Sequence, residues 1–338
     1  MQAPDLSETA QKIEAWFARH QRPLPWRETY DPYHVWVSEV MAQQTRIEVV
    51  LAYFDRFLQR FPTLASLANA SDDEVTSAWS GLGYYRRARM LRDGARDVME
   101  RFGGRIPSTV EDLLTIKGIG RYTAGAIASI AHGTRAPIVD GNIARIAARL
   151  FAIEAPLGTP ELMRTAWMHA EALVNACDAP RAFNQGWMEI GALLCKPRNP
   201  SCLLCPVSDV CAARASGRAN ELPLPKEKKA TRELRIALYV VRDRNGRVLM
   251  RRESGPLMNA MYHLPHGDTS FLSGTPIAVN SPRLLGNVRH TVTTRKITFE
   301  VYAATVTRKP AEHDWIDPRA MHDVPHPSYV RKALALAE

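Results

Sequence analysis

The sequence predicts a mainly helical N-terminal part followed by a smaller α+β domain. Through residues 7 to about 215, apolar residues recur at the 3.6-residue spacing of amphipathic helices. Residues 217–231 contain two prolines and a basic cluster but no periodic apolar face. Beyond them, runs of β-branched and aromatic residues separated by turn signals are typical of strands.

The composition is that of a folded globular protein with a basic surface. The 338 residues carry 44 Lys and Arg against 35 Asp and Glu, a formal net charge of +9, and 46% are hydrophobic. At roughly 150 residues per domain, this length predicts two or three domains. No apolar run is long enough to span a membrane, and no secretory signal is visible, so we expect a cytoplasmic location. The excess of positive charge points to a polyanionic partner or to a merely solvated basic surface.

Helices are predicted one after another along the N-terminal part. The clearest covers residues 48–61, where one apolar stripe contains Val49, Val50, Tyr53, Phe54, Phe57, Leu58 and Phe61. Similar stripes predict helices over residues 7–20, 33–46, 85–102, 160–177 and 181–195. Together these helices are enough to bury a sizeable core.

Residues 111–131 predict a helix, a tight turn and a second helix. The turn contains Gly118 and Gly120, and glycine permits the positive φ and the close backbone approach that such a turn needs. The amides that open the second helix would favour an anion such as a DNA phosphate. Simple helix packing explains the same two glycines, so both interpretations stay open.

Two acidic residues stand in notable positions. Asp140 directly precedes a predicted helix and is followed by Gly141 and Asn142, which suits a helix N-cap. Glu39 lies in WVSEVM, an otherwise apolar helical segment, where desolvation would raise a carboxyl pKa. An ordinary N-cap and a solvated helix residue explain these positions without any chemistry.

Four of the five cysteines follow the pattern C-x6-C-x2-C-x5-C: Cys195, Cys202, Cys205 and Cys211. Four thiolates at this spacing can bind one compact metal centre, and cysteine selects zinc or an iron–sulfur cluster. The spacing alone does not decide between these two, and four unligated thiols are a third interpretation. Cys177 stands apart and is predicted to be a buried core residue.

The chain changes character near Gly217. Residues 217–231 are predicted to be a linker, and residues 232–338 an α+β domain. ELRIALYVVRD and GRVLMRRE predict strands, and Asn245-Gly246 between them is a strong hairpin turn signal. Further strands are predicted within 284–306, and a closing helix over 328–337.

Several long segments match a known family in order. They are LPWR (24–27), DPYHVWVSEVMAQQT (31–45), GLGYYRRAR (81–89), KGIGRYTAGA (117–126), VDGN (139–142), FNQGWMEIGALLC (183–195) and CPVSDVC (205–211). With them, the chain resembles the helix–hairpin–helix (endonuclease III-like) glycosylase superfamily and, within it, the MutY family of adenine DNA glycosylases. The resemblance is close over about residues 8–225. It implies two helical lobes within a catalytic region, residues 1–216, and one [4Fe–4S] cluster bound by the four clustered cysteines.

The resemblance implies a monofunctional enzyme of base excision repair. Such an enzyme hydrolyses the N-glycosidic bond of adenine mispaired with 8-oxoguanine or guanine. A protonated carboxyl protonates the purine at N7, and an ionised carboxylate stabilises the oxocarbenium ion at C1′. By resemblance, Glu39 is the acid and Asp140 the stabiliser, while Asn142 supports Asp140 and the catalytic water. Tyr122 packs against both carboxylates and stands where endonuclease III-type enzymes carry a Schiff-base lysine, so no imine chemistry is expected.

The resemblance also implies how DNA is bound. The adenine must leave the base stack, which costs about a few kcal/mol. Gln44 and Tyr84 are expected to wedge into the duplex, with Gln43 beside them. The residues expected to form or border the adenine pocket are Leu24, Trp26, Arg27, Met41 and Gln185. The implied partner is double-stranded DNA with A:8-oxoG or A:G mispairs, bound by a monomer without any membrane. Nucleoid association in a bacterium and repair-protein partners follow from family analogy alone.

The C-terminal domain departs from the family pattern. In the family this domain resembles a NUDIX hydrolase and recognises 8-oxoguanine. Residues 232–338 lack the Glu-rich helix that binds Mg²⁺, so we expect no nucleotide hydrolysis. Val292, Thr293 and Thr294 align with the family's Phe-Ser-His recognition motif. Thr293 and Thr294 are therefore the candidate contacts to the opposite base, with a weakened 8-oxoguanine preference. The alternative is that another loop, or Arg295 and Lys296, supplies the contact.

Three functional hypotheses result. The leading one is adenine excision from A:8-oxoG and A:G pairs. The second is a glycosylase with altered mispair preference, and the third is a non-catalytic iron–sulfur protein that only binds damaged DNA. The presence of Glu39, Asp140 and Asn142 argues against the third, because binding alone needs neither carboxylate.

Overall fold

The computed structural model describes residues 4–226, 231–254, 260–267, 277–292, 294–321 and 324–337. The chain forms two compact units. The first contains residues 1–54, 63–68 and 93–227, and the second contains residues 55–62, 69–92 and 228–338. Two stretches of the helical part therefore belong to the same unit as the C-terminal strands.

Helices make up the described N-terminal part. Their bounds are α1 (Leu6–His20), α2 (Pro32–Ala42), α3 (Ile47–Arg60), α4 (Leu64–Asn69), α5 (Asp72–Ala78), α6 (Arg86–Arg101), α7 (Val110–Leu114), α8 (Arg121–Ala126), α9 (Gly141–Leu150), α10 (Pro160–Ala176), α11 (Pro180–Leu193) and α12 (Ala212–Ala215), with 3₁₀ turns at Pro25–Arg27 and Cys202–Leu204. None of the described helices is both long and apolar enough to cross a membrane.

The predicted helices are confirmed to within a few residues, with one correction. We predicted a helix over 33–46, but α2 ends at Ala42. Gln43 leaves the helical region with ψ 112°, and Gln44 adopts a left-handed backbone with φ 57°. The start of α2 follows from Asp31, whose carboxylate accepts from the amides of Tyr33 and His34.

The core of the first unit lies where α1, α9, α10 and α11 pack together. A Cβ atom at Gly186 would lie 2.8 Å from the Ile13 side chain, so α1 and α11 approach closely only because residue 186 is glycine. Trp187 and Ile146 are buried in the same core. Cys177 is buried there too, as predicted.

The predicted helix–turn–helix over 111–131 is present. Helix α7 leads into a turn where Gly118 has φ +84°, and α8 begins after Gly120. Helix α8 continues as a π-helical turn, Ile127–Ala131, a feature that is frequent near functional sites. Gly125 packs against the backbone of Pro137, which lies just before Asp140. Helix α8 is therefore held against the segment that carries this carboxylate.

The described strands of the second unit form two three-stranded sheets. Their bounds are β1 (Arg232–Val241), β2 (Val248–Arg252), β3 (Tyr262–His263), β4 (Asn280–Val292), β5 (Arg295–Thr305) and β6 (His313–Ile316). In one sheet β5 lies between β1, parallel to it, and β4, antiparallel to it; in the other, β2 lies between β3 and β6. With helix α13 (Ser328–Ala335) packed on β4, this confirms an α+β C-terminal region.

The turn at Asn245-Gly246 forms, but its flanking strands separate. Gly246 has φ +79°, and Arg242 and Val248 form an antiparallel bridge. Beyond this bridge, β1 pairs with β5, whereas β2 is paired on both sides within the other sheet. Because both edges of β2 are satisfied by β3 and β6, the local hairpin signal is overridden by longer-range pairing.

The first part of the predicted linker is packed on the first unit. Leu222 is buried, and its carbonyl oxygen accepts from Nε of Arg149 at 2.8 Å. The amide of Leu224 donates to the carbonyl oxygen of Ala155. Residues 218–224 therefore belong structurally to the helical part.

Candidate functional site

Glu39 and Tyr122 form a buried hydrogen-bonded pair. Glu39 is only 5% exposed on α2, and the Tyr122 hydroxyl donates to its Oε2 at 2.8 Å. The pKa of Glu39 is raised to about 7: burial is the largest cause and the charge of Asp140 adds to it, whereas the Tyr122 hydrogen bond and the charge of Arg27 partly offset the rise. Burial and the two carboxylates raise the pKa of Tyr122, so the phenol remains a donor. A carboxyl in this state can deliver a proton near neutral pH.

Asp140 is held in place by the start of α9. Its Oδ1 accepts from the amides of Asn142 and Ile143 at 2.9 and 2.8 Å, and its Oδ2 accepts from the Asn142 side chain at 3.1 Å. Both carboxylate oxygens of Asp140 therefore accept hydrogen bonds as the N-cap of α9. The structure therefore brings together the four predicted catalytic residues, Glu39, Tyr122, Asp140 and Asn142, as two carboxyls in contrasting environments.

Two buried arginines join α9 to the loop that carries the cysteines. Arg145 donates to the Asn142 Oδ1 at 3.0 Å and to the carbonyl oxygen of Cys195 at 2.8 Å. One turn later, Arg149 donates to the Cys195 Sγ at 3.2 Å and to the Lys196 carbonyl oxygen at 2.7 Å. Side-chain orientation at Asp140 is thus linked through Asn142 and Arg145 to the backbone at Cys195.

The cysteines Cys195, Cys202, Cys205 and Cys211 line one small pocket of about 30 Å³. Burial raises the pKa of the Cys205 thiol to about 12, so a positive centre is needed to ionise this sulfur at neutral pH. Within the described part of the chain, no three His, Cys, Asp or Glu side chains are grouped as ligands of a single metal ion. The donor set around this pocket is entirely thiolate, which fits an iron–sulfur centre.

The predicted pocket residues Arg27 and Gln185 are in direct contact. The Arg27 Nε donates to the Gln185 Oε1 at 2.9 Å, and its Nη1 lies 2.6 Å from Oε1 of Glu189. Arg22 binds the other carboxylate oxygen of Glu189 at 2.6 Å. Although burial opposes it, hydrogen bonds from Arg22 and Arg27 hold the pKa of Glu189 below its usual range. The other predicted pocket residues, Leu24, Trp26 and Met41, are all buried.

Glu189 is a candidate site residue that sequence reasoning missed. It is fully buried and contacts Arg27, whose charge also acts on Glu39. The available signal was an acidic residue inside the apolar helical segment WMEIG, the same kind of signal that singled out Glu39. Arg145 and Arg149 were also missed, since arginines on a helix are usually solvated.

The predicted duplex-contacting residues lie at exposed turns. Gln43 is the last residue before the left-handed Gln44, which is exposed. Gly120 begins α8 without a side-chain cap, and a Cβ there would meet no atom within 4 Å, so this backbone is open to a ligand. Tyr84 is exposed and also has a left-handed backbone, with φ 50°. It belongs to the second unit.

Of the predicted contacts to the opposite base, one is described. Thr294 is exposed in the turn that joins β4 to β5, and Thr293 lies outside the described residues. Next to it, Val292 pairs with Arg295, and the Arg232 amide donates to the Thr294 carbonyl oxygen.

Comparison with known proteins places these residues in a family. A sequence model of the HhH-GPD superfamily base excision DNA repair proteins matches residues 37–171, and one of the iron–sulfur binding domain of endonuclease III matches residues 195–211. The adenine DNA glycosylase of Buchnera aphidicola (subsp. Schizaphis graminum) is 34% identical over 77% of this chain and 75% of the Buchnera protein. This chain belongs to the adenine DNA glycosylase family.

Mammalian members of the adenine DNA glycosylase family are also similar. The human protein is 46% identical over 62% of this chain and 40% of its own length. The rat protein is 43% identical over 65% of this chain and 45% of its own length. The chain therefore spans less than half the length of these mammalian relatives. The second sequence match, over residues 195–211, places the four clustered cysteines in an iron–sulfur binding motif.

Solved structures show the same helical fold. A thermostable thymine-DNA glycosylase superposes with a TM-score of 0.55 and 28% identity, covering 62% of this chain and 97% of that one. An endonuclease III–DNA complex superposes with a TM-score of 0.51 over 62% of this chain and 94% of that one, at 20% identity. The adenine DNA glycosylase family member described here thus shares the helix–hairpin–helix glycosylase architecture.

Proposed function

We propose that this chain is a monofunctional adenine DNA glycosylase acting on adenine opposite 8-oxoguanine or guanine. The observation that carries the proposal is the contrast between two carboxyls. Glu39 is buried, with a pKa of about 7, whereas Asp140 accepts three hydrogen bonds at a helix N-terminus. A hydrolase that breaks an N-glycosidic bond requires this contrast between an acid and an ion stabiliser.

The reaction follows from these positions. Glu39 transfers its proton to N7 of the flipped adenine while the bond between C1′ and N9 breaks, and the bonding electrons leave with the base. The Asp140 carboxylate stabilises the positive charge that develops on the sugar. Water, which Asn142 helps to orient, then adds to C1′ and gives its proton to the Glu39 carboxylate, which restores the acid. The products are free adenine and an abasic site. Tyr122 provides no amine for an imine, so the strand remains intact.

The proposed cofactor is one [4Fe–4S] cluster bound by Cys195, Cys202, Cys205 and Cys211. All four cysteines face one pocket, and the donor set is entirely thiolate. When bound, the cluster supplies a rigid centre for the loop. The protein's own contribution is the pair of arginines, Arg145 and Arg149, that connects this loop to α9.

The proposed substrate is double-stranded DNA bound by a monomer. Gln44 and Tyr84 are the residues proposed to enter the duplex, and two observations support this role for each of them: it is exposed, and its backbone is left-handed. Arg27, Gln185 and Glu189 supply donors and acceptors for the edge of the flipped base. The place of action is then the cellular DNA, and in a bacterium this means the cytoplasmic nucleoid.

Single-turnover excision on four labelled duplexes, A:8-oxoG, A:G, A:C and A:T, tests the proposal. We expect release of adenine from A:8-oxoG and A:G and little from A:T. Release from none of the four duplexes by iron-loaded protein rejects the enzymatic assignment and favours a DNA-binding role. Borohydride treatment during turnover gives no stoichiometric covalent adduct if the enzyme is monofunctional.

A second candidate is a glycosylase with a weakened preference for 8-oxoguanine. The observation that favours it is the β4–β5 turn, where threonine at 294 and valine at 292 replace the larger side chains of the family motif. In the same assay, comparable excision rates on A:8-oxoG and A:G support this candidate. An excision rate on A:8-oxoG that is well above the rate on A:G rejects it.

A further inference from the structure

Tyr84 lies at the tip of a loop that is supported from inside. Its ring is 56% exposed and its φ is 50°, a backbone region that is costly for a bulky residue. The Arg87 guanidinium lies 5.5 Å from the Tyr84 ring centroid and donates to the Gly83 carbonyl oxygen at 3.2 Å. Trp79 donates to the same oxygen at 3.2 Å. The position of Tyr84 therefore depends on how this loop is fixed.

The next residue connects the loop to the C-terminal region. The Tyr85 hydroxyl accepts from the amide of Gly81 at 3.3 Å and donates to the carbonyl oxygen of His326 at 2.8 Å. All three residues belong to the second compact unit. A displacement of the His326 backbone would thus be transmitted through one hydroxyl to the loop that presents Tyr84.

The His326 backbone is in turn connected to the β4–β5 turn by packed rings. His326 lies two residues before α13, whose first turn carries the fully buried Tyr329. The Tyr329 ring centroid lies 5.2 Å from that of His290 on β4 and 4.2 Å from that of Phe299 on β5. These two strands end at the turn that contains Thr294. Close-packed interiors transmit small shifts, so these rings form a continuous packed route between the two strands and the segment that carries the His326 carbonyl.

We propose that Tyr85 is a positioning residue that makes the placement of Tyr84 depend on the base opposite the target adenine. The inference rests on the proposed function, in which the β4–β5 turn faces that base and Tyr84 enters the duplex. A base that binds the turn well fixes α13 and the His326 carbonyl, and the Tyr85 hydroxyl then fixes Gly81 and the loop. Tyr85 therefore contributes to the preference for A:8-oxoG over A:G and not to bond cleavage itself.

The test compares Tyr85→Phe with the wild-type holoenzyme. This substitution keeps the ring and removes only the hydroxyl. Tyr302→Phe is the matched control. It also removes one tyrosine hydroxyl from the second unit, but that hydroxyl donates to Glu300 on β5. The ratio of single-turnover rates on A:8-oxoG and A:G is measured for all three proteins. In parallel, their affinities are measured for the same duplexes carrying a non-cleavable fluorinated adenosine.

We expect Tyr85→Phe to lower the rate ratio by about three- to tenfold, the range set by losing one hydrogen bond, with the A:G rate unchanged. The control should retain the wild-type ratio. Equal loss on both duplexes, an unchanged ratio, or a wild-type enzyme without preference overturns the inference. If the wild type excises adenine from neither duplex, the proposed function fails, and the affinities then test the inference. A lower ratio of the A:8-oxoG affinity to the A:G affinity in Tyr85→Phe supports the inference, and an unchanged ratio overturns it.

Discussion

At the scale of single residues, the chemistry depends on opposing influences on Glu39. Burial alone would raise its pKa, whereas the hydrogen bond from Tyr122 and the charge of Arg27 lower it. The result, about 7, leaves a useful fraction of the carboxyl protonated at neutral pH. Because Tyr122 occupies Oε2, the other carboxyl oxygen is available to carry the proton.

The first prediction concerns Glu39→Gln. Loss of a general acid should reduce single-turnover excision by about a hundred- to ten-thousand-fold. Since the folded state raises the pKa of Glu39 from 4.5 to about 7, unfolding releases a proton within this range, and stability falls as pH rises from 4.5 to 7. Gln removes this penalty, so the free energy of unfolding at pH 8 should rise by up to about 3 kcal/mol.

Urea unfolding at pH 4.5 and pH 8 measures this effect. Glu48→Gln, at an exposed position on α3, is the control and should change neither stability nor rate. A Glu39→Gln variant that is equally stable at pH 8 and excises normally would remove Glu39 from the acid role.

The second prediction concerns Tyr122→Phe. The Tyr122 hydrogen bond lowers the pKa of Glu39, so its loss raises that pKa. The descending limb of the pH–rate profile, where Glu39 loses its proton, should therefore move to higher pH. The maximal rate should fall by about tenfold or less, because the acid itself remains. A profile that moves to lower pH contradicts the assignment of this limb to Glu39.

At the scale of elements, α9 connects the Asp140 carboxylate to the loop that carries the four clustered cysteines. Its N-cap is Asp140, its first turn holds Asn142, and the next two turns carry Arg145 and Arg149 toward the loop at Cys195. Spacings of three and four residues place the three polar side chains on one face of the helix. The cysteine loop therefore determines how firmly the start of this helix is held.

The third prediction concerns Arg145→Met. The change leaves the carbonyl oxygens of Cys195 and Gly191 and the Asn142 side chain without their charged donor. We expect a loss of about 3 kcal/mol in stability and a slower excision step with unchanged substrate affinity. Arg164→Met, at an exposed position on α10, is the control. Unfolding, iron content and single-turnover excision rates are measured for both variants. An unchanged excision rate in Arg145→Met would show that the Arg145 contacts do not affect catalysis.

The fourth prediction compares two glycines of the helix–turn–helix. A methyl group at Gly125 collides with the Pro137 carbonyl oxygen, so Gly125→Ala should cost about 2 to 4 kcal/mol and displace the segment before Asp140. Gly120 has φ −98° and open space around its Cβ, so Gly120→Ala should stay within about 0.5 kcal/mol of the wild type. Thermal unfolding ranks the two variants, and the reverse order contradicts the packing described here.

The positions of the helices could be predicted from the sequence, whereas the side-chain contacts between them could not. Stripes of apolar residues located α3 and α6 to within a residue or two, because local periodicity determines a helix on the surface of a core. The predicted end of α2 at residue 46 was wrong, since the left-handed turn at Gln44 has no periodic signature. The partners of Arg27 and Arg145 could not be predicted, because they lie about 160 and 50 residues away in sequence. The roles of Glu39 and Asp140 required the family resemblance.

At the scale of the whole molecule, the proposed functions are divided between the two compact units. Glu39, Tyr122 and Asp140 lie in the first unit with the cysteine loop, whereas Tyr84 and the β4–β5 turn lie in the second. The division does not follow the change from helices to strands, because residues 69–92, which contain α5 and the start of α6, belong to the second unit. Recognition of the mispair can therefore change without altering the carboxyl pair.

The fifth prediction concerns the net charge of +9. Contacts to phosphates release counterions, so the affinity for any duplex should fall steeply with salt, with a slope of log K against log salt of about −4 to −7 if four to eight phosphates are bound. Base contacts release no counterions, so the ratio of affinities for A:8-oxoG and A:T duplexes should stay constant from about 50 to 200 mM salt. Equilibrium binding of the Glu39→Gln variant, whose excision is slow, measures the salt slope and the ratio of affinities. A ratio that collapses toward one with salt would mean that discrimination is electrostatic, and the turn containing Thr294 would then lose its proposed role in recognising the base.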